Sequence, residues 1–445
     1  MSNKHAEHWK KLLAPMRWHS QQESDIATDR SPFMMDFDRI IFSSSYRRLG
    51  RKTQVHPLSR NDHIHNRLSH SQEVSCVGRS LGSKVGSFLA QQKYLPAEIS
   101  VHDVGTIVQC AALIHDIGNP PFGHAGEEAI RDWFKSQDNA IYLDEHIFLE
   151  RELADFKAFD GNAQGFRVIN CVEMYKNDGG LRLSFPTIAS MVKYPRSAHE
   201  ALGRGKPKFN YYQSEKEYFS HIFDVLGLKF GNHYIRHPLS YLTEAADDIC
   251  YRIIDMEDAR ELNIITLEEI FDVCTPIYQK LNLDERKMNS LPSARRKSGY
   301  LRAKLISYLV ESIAETYIQN FEAIMTGDIT NLISISDGSI QEYFERAESL
   351  FFNTIAKDRT KITLELGSYS LYKRLLDVFI PAVFHQKTHN KLSFKEERAL
   401  DLMGNNSPCK TESFYVAYRC VIDFISGMTD DYATYISQQL SGTSS

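Results

Sequence analysis

From Leu68 onward, Val74, Val77, Leu81, Val85 and Leu89 recur at spacings of three and four, which places them on one face of a helix. Val104, Val108, Ala111 and His115 form a second stripe of the same kind. Pro120-Pro121 ends it, because proline lacks the amide proton that a helix interior requires. A third stripe starts near Pro238 and runs through Leu242, Ala246, Ile249, Ile253 and Met256, and windows near 264–282, 296–325, 340–356, 369–386 and 411–440 also read as helices. Strand-like alternation is scarce, and there is no internal repeat. The expected fold is mainly α, with a small β-hairpin at most, near 50–60 or 205–215. Residues 1–30 read as an N-terminal arm and linker, with the polar stretch 19–30 as a tether making few contacts. Residues 196–217 mix glycine, proline and basic side chains without period, which predicts a surface loop or short hairpin that could touch phosphates.

The chain has 445 residues, 42% hydrophobic and 24% charged, enough to bury a large core. A net charge of −5 is small for this size, so any binding of phosphates must come from local basic clusters. The seven cysteines include no Cys-x-x-Cys spacing, which argues for reduced thiols, against a thiolate zinc site, and for the cytoplasm. No apolar run has the length of a signal-peptide core or a membrane span, so no membrane partner is expected.

His115 falls on the apolar face of its helix, and His70 lies four residues before Val74 on the preceding stripe. Two inward-facing histidines on adjacent helices could meet there. Asp116 adds a carboxylate, and the helix from Pro238 offers Glu244, Asp247, Asp248 and Asp255, of which Asp247, Tyr251 and Asp255 share a face. Two imidazoles with two carboxylates balance a divalent cation, and the mixed N/O set suits Mn, Fe, Co, Ni or Zn better than calcium. Beyond this pair, Gly118-Asn119-Pro120-Pro121-Phe122-Gly123 delivers a third histidine, His124, with Glu127 three residues later. If a helix begins near Gly123, the two hydrogen-bond across one turn, the geometry of a base with its orienting carboxylate.

Six ordered segments resemble the HD-domain deoxynucleoside triphosphate triphosphohydrolases, specifically the bacterial dGTPase-like proteins: DRIIFSSSYRRLGRKTQV (38–55), NRLSHSQEV (66–74), ALIHDIGNPPFGHAGEEA (112–129), FDGNAQGFR (159–167), FPTIASMVKYP (185–195) and YLTEAADDICYRIIDMEDA (241–259). The resemblance implies an HD-type catalytic core over 31–260, with a C-terminal helical region, 261–445, packed on it. It implies His70, His115, Asp116 and Asp247 as ligands of a divalent metal such as Mn or Mg. By the same resemblance His124 and Glu127 position or activate the attacking water. Gln54 and Asp255 resemble the groups that bind the deoxyribose 3′-hydroxyl, and Tyr251 the ring that crowds the 2′ position. Arg67, Lys193 and Tyr194 resemble the contacts to the triphosphate. Asp160 stands where the family has glutamate, a conservative departure.

The implied reaction converts a dNTP to deoxynucleoside and inorganic triphosphate. Self-association is common in the resembling family and some members bind single-stranded DNA, so a homo-oligomer, a nucleotide effector and single-stranded DNA are partners to test beside the dNTP. Two other functions compete. Another HD phosphohydrolase, a phosphodiesterase or nucleotidase, would use the same His-Asp pair. A nucleotide-responsive single-stranded DNA-binding protein would use the basic cluster 294–297 with Tyr300 and Arg302.

Overall fold

The computed structural model describes residues 2–18, 30–56, 61–174, 180–205, 208–389 and 391–442, so residues 19–29 of the expected tether lie outside the described residues. The molecule is mainly α-helical, as the apolar periods require. Helix Arg67–Gln91 begins in a reciprocal cap, in which Asn66 accepts from the Ser69 amide and Ser69 from the Asn66 amide. Its stripe from Val74 to Leu89 is buried, and each such side chain contributes about 1.5–3 kcal/mol relative to exposure. The helix packs on Val101–Ile114, itself capped by Ser100 and Asp103. Gly82 lets the two backbones approach: a Cβ there would stand 2.9 Å from both the Gly105 Cα and the Val104 carbonyl oxygen. The third stripe is helix Ser240–Glu261, which lies against both.

Past His115 the chain turns through Gly118, where a Cβ would meet the Gly165 nitrogen at 1.9 Å, so only glycine fits against the Gly161–Arg167 helix. Phe122 and Gly123 then adopt successive left-handed conformations, φ +61° and +55°, and re-aim the chain into helix Gly123–Lys135. For phenylalanine that conformation costs of order 1–3 kcal/mol and persists only where surroundings enforce it.

The apolar interior forms two bodies. One gathers the three striped helices with the N-terminal helix Ser2–Leu12, whose Trp9 and Leu12 are fully buried, and with residues up to Ile355. The other joins residues 129–163 and 198–212 to the C-terminal helices between Leu371 and Ile436. Residues 261–445 are therefore shared between both bodies.

Among the described residues the one two-stranded ladder is antiparallel, Lys229–Phe230 with His233–Tyr234, and not at either stretch expected from sequence. Near those stretches Thr53 and Asn66, and Ser197 and Tyr211, make single bridges, with 57–60 and 206–207 outside the described residues. Residues 196–217 also depart from the expected loop. They contain helix Ala198–Gly203 and bury Phe209, Tyr211 and Tyr212, because Tyr211 stacks on Phe219 at 4.1 Å and Arg419 covers the Tyr212 ring at 3.6 Å. Among the described residues no helix is long and apolar enough to cross a membrane.

Candidate functional site

Three helices converge on one cluster. His70 comes from Arg67–Gln91, His115 from the C-terminal end of Val101–Ile114, and Asp247 from Ser240–Glu261. Asp247 Oδ1 stands 3.1 Å from His70 Nε2 and 3.4 Å from His115 Nε2, and the candidate ligand atoms all lie within 4.8 Å of one another. His115 Nδ1 faces the Ala112 carbonyl oxygen at 2.6 Å, which fixes the ring and leaves Nε2 for the cluster. That Nε2 is buried without a hydrogen-bond partner among the described residues. Burial disfavours charge on the His115 ring, yet Asp116 and Asp247 outweigh it and raise its pKa to about 9. Burial likewise opposes charge on Asp247, and His115 and His70 hold it well below the ordinary carboxylate range. An ionised carboxylate, two convergent imidazoles and an orphaned nitrogen fit a divalent cation.

Asp116 lies beside this trio. Its Oδ1 is 3.6 Å from His115 Nε2 and accepts from Asn119 Nδ2 at 2.6 Å, while Oδ2 accepts from Arg67 Nη1 at 2.5 Å. Burial opposes its charge, but Arg67 and both histidines keep it below the ordinary range.

His124 projects into solvent, 80% exposed, with Nδ1 2.8 Å from Glu127 Oε2. Glu127 is buried and its Oε1 accepts from the Gly161 amide at 2.6 Å. Burial would raise its pKa, yet the His124 hydrogen bond and Lys208 bring it down to about 2. Burial and Glu127 push the neighbouring Asp160 up to about 6.

A cavity of about 260 Å³ is lined by every residue to which the resemblance assigns a metal, water or substrate role except Asp255. Lys193 reaches it while pairing with Glu244 at 2.9 Å, and Glu244 is held in turn by Arg236 at 2.6 Å. Tyr194 lies beside it, its amide bonded to Asn210 Oδ1 at 2.6 Å. Gln54 and Tyr251 also line it, and Gln54 Oε1 is buried with no hydrogen-bond partner among the described residues. Asp255 is on the Asp247–Tyr251 helix face but is 2% exposed, and neither of its oxygens has a hydrogen-bond partner among the described residues. Burial pushes its carboxyl well above the ordinary carboxylate range.

Sequence reasoning flagged the basic segment 196–217 without singling out Lys208, which lines the cavity 3.4 Å from Asp160 and 3.8 Å from Glu127. It also missed a second cavity of about 480 Å³ that shares Gln54, Arg67, His124, Asp247 and Tyr251 with the first and adds Phe351, Phe352, Lys361 and Glu365.

Two other clusters are engaged internally. Arg295 grips Glu261 at 2.6 and 2.8 Å, Arg302 pairs with Glu257 at 2.6 Å, and Lys287 covers the Tyr300 ring at 5.2 Å. His65, near His70 in sequence, places Nδ1 2.7 Å from Asp258 Oδ1 and Nε2 3.5 Å from Glu73. Burial opposes its protonation, but those carboxylates raise its pKa to about 10. Because the folded value lies above the ordinary 6.5, the stabilisation is whole below pH 6.5 and lost as pH rises through about 10. The unfolding free-energy difference between parent and His65→Gln, read by chemical denaturation, is therefore expected to shrink between pH 6.5 and 10.

The fold and the His-His-Asp cluster at its helix junction define an HD-type domain, and the HD domain family model matches residues 67–158. Over 443 residues the chain is 43% identical to a deoxyguanosinetriphosphate triphosphohydrolase-like protein of Pseudomonas aeruginosa, covering 98% of this chain and 99% of the relative. A protein of the same name from Synechocystis is 34% identical over 98% of this chain and 99% of its own length. A deoxyguanosinetriphosphate triphosphohydrolase of Enterobacter is 31% identical over 90% and 92%. The chain belongs to the HD-domain dGTPase-like family. It is a hydrolase, a metal-dependent phosphohydrolase.

Proposed function

We propose that the protein hydrolyses deoxynucleoside triphosphates, dGTP among them, to deoxynucleoside and inorganic triphosphate in the cytoplasm. The observation that carries this reading is a single cavity with three chemistries on its wall: convergent imidazole and carboxylate donors, the cations Arg67, Lys193 and Lys208, and the amide and ring of Gln54 and Tyr251. The names of the relatives support dGTP as the first substrate to test.

His70, His115 and Asp247, with Asp116 beside them, would hold the divalent cation, and Mn, Mg, Fe, Co, Ni and Zn all fit the donor types. When bound, such an ion polarises a phosphoryl oxygen and stabilises charge in the transition state. A water oxygen bonds to the α-phosphorus as the bond from phosphorus to the 5′ oxygen breaks, and the 5′ oxygen leaves with the deoxynucleoside, taking up a proton. His124 accepts the proton of the water on Nε2. Glu127, ionised and 2.8 Å from Nδ1, orients the ring and stabilises the imidazolium. Arg67 and Lys193 suit the phosphate chain, one as a planar fork and the other as a point charge. Tyr194 and Lys208 extend that wall. Tyr251 fits the sugar edge, where a ring would crowd a 2′-hydroxyl, and the unpartnered Gln54 oxygen matches the need of a 3′-hydroxyl for a partner, whereas Asp255, which lines neither cavity, is assigned to that hydroxyl by the family resemblance alone.

The test incubates purified protein with each dNTP singly and in pairs, with GTP and with a cyclic dinucleotide, under Mn or Mg and with or without single-stranded DNA. Products are resolved by chromatography and mass by light scattering. Deoxynucleoside plus triphosphate is expected, together with self-association and rejection of GTP. The paired nucleotides and the DNA probe the effectors that belong to the same reading. Monophosphate products would instead indicate another HD phosphohydrolase, and binding without turnover a receptor.

A further inference from the structure

The two loops that deliver Gln54 and His124 are tied together from the C-terminal end of the chain. Asp430, the first residue of helix Asp430–Leu440, is 2% exposed. Its Oδ1 accepts from the Phe122 amide at 3.0 Å and its Oδ2 from the Thr53 amide at 2.8 Å. Thr53 precedes Gln54, and Phe122 is the left-handed residue from which the chain turns toward His124. Helix capping does not account for this carboxylate, because Thr429 caps the helix with its own hydroxyl by accepting from the Tyr432 amide. The same C-terminal turn makes a third link: the Lys52 ammonium donates to the carbonyls of Ser426 and Asn119, each at 2.7 Å. From the other side, the Tyr372 hydroxyl donates to the Pro121 carbonyl at 2.8 Å.

A phenylalanine held at φ +61° relaxes unless its neighbours over-determine it. Asp430 supplies such a constraint on the turn that sets where His124 stands, and with its second oxygen it fixes the strand of chain carrying Gln54. We propose that Asp430 is a positioning residue for the hydrolytic reaction, acting through the Phe122 and Thr53 amides on His124 and Gln54. This rests on the dNTP hydrolase reading. It places control over the water-activating histidine about 300 residues away in sequence, in a helix that contributes no group to the cavity.

The test compares full-length parent, Asp430→Asn, Asp430→Ala and, as control, Asp431→Asn. Among the described residues Asp431 makes only a long exposed pair with Arg51, 3.4 Å. Asparagine keeps the shape and one acceptor oxygen but sets an amide N–H against the other backbone N–H, so one of the two links is lost. Asp430→Asn is expected to lower kcat for the best dNTP about tenfold to a hundredfold, the scale of an ångström-level misplacement. Its Tm should stay within about 3 °C of the parent, and Asp431→Asn should keep the parent kcat. Hydrogen exchange supplies a readout independent of turnover: in both Asp430 variants peptides spanning 50–56 and 118–126 should exchange faster, while those from 104–114 should not. Parent kcat in Asp430→Asn, unchanged exchange of the two loops, or a kcat loss matched by the loss of folded protein would each overturn the proposal. If the parent itself hydrolyses no dNTP, the functional reading fails, and the exchange experiment alone decides whether Asp430 holds the loops.

Discussion

With alanine at position 115, the purified protein is expected to fold, to bind its divalent cation at least about a hundredfold more weakly and to show no dNTP hydrolysis at metal concentrations that saturate the parent. The scale follows from the tenfold to hundredfold loss that even an outer-shell partner of a metal ligand causes. His115 provides a buried nitrogen with no hydrogen-bond partner among the described residues, 3.4 Å from Asp247, and is one of only two imidazoles in the described cluster. Folding should survive, because His115 follows the last turn of a helix whose own stripe, Val104, Val108 and Ala111, is fully buried without it. The measurements are metal content after dialysis, circular dichroism with Tm, and product formation. A metal-loaded His115→Ala protein with parent kcat would remove the cluster from the mechanism.

Replacing His124 with alanine or Glu127 with glutamine is expected to lower kcat by about 10²–10⁴, the usual worth of a positioned acid–base group, while leaving metal content and KM near the parent values. The reason is spatial. His124 is 80% exposed and is not one of the three convergent donors, so its loss strips no donor from the cation. Glu127→Gln keeps an oxygen for the Gly161 amide but loses the charge that orients and stabilises the His124 imidazolium. Steady-state kinetics with metal analysis separate the cases. If kcat and metal content fall together in His124→Ala, the residue belongs to the metal site and not to the water.

Much of the centre was legible because its residues ride on apolar stripes. His70 and His115 share a period with Val74 and Val108, so inward direction could be read from spacing. The His124–Glu127 pair was legible because Pro120-Pro121 forces a new helix start. Lys208 was not, since its place depends on burial of Phe209, Tyr211 and Tyr212, aromatic residues inside a stretch whose glycines, proline and charges read as surface. The second cavity was invisible for a different reason. Phe351, Phe352, Lys361 and Glu365 meet Tyr251 across about a hundred residues of chain, and no local period encodes such an encounter. The hairpin was misplaced because two-residue strands carry too few side chains to alternate.

The two apolar bodies divide the active centre between them. The helices bearing His70, His115 and Asp247 anchor in the first, whereas Ala129, Ile130, Trp133 and Phe134, from the helix bearing Glu127, anchor in the second with Leu371 to Ile436. Residues 129–163 and the C-terminal helices are therefore packed as one unit, so a change of side-chain volume in either is felt by the other. A chimera that takes its last 75 or so residues from a relative would inherit a mismatched bed beneath His124 unless 123–163 travelled with them.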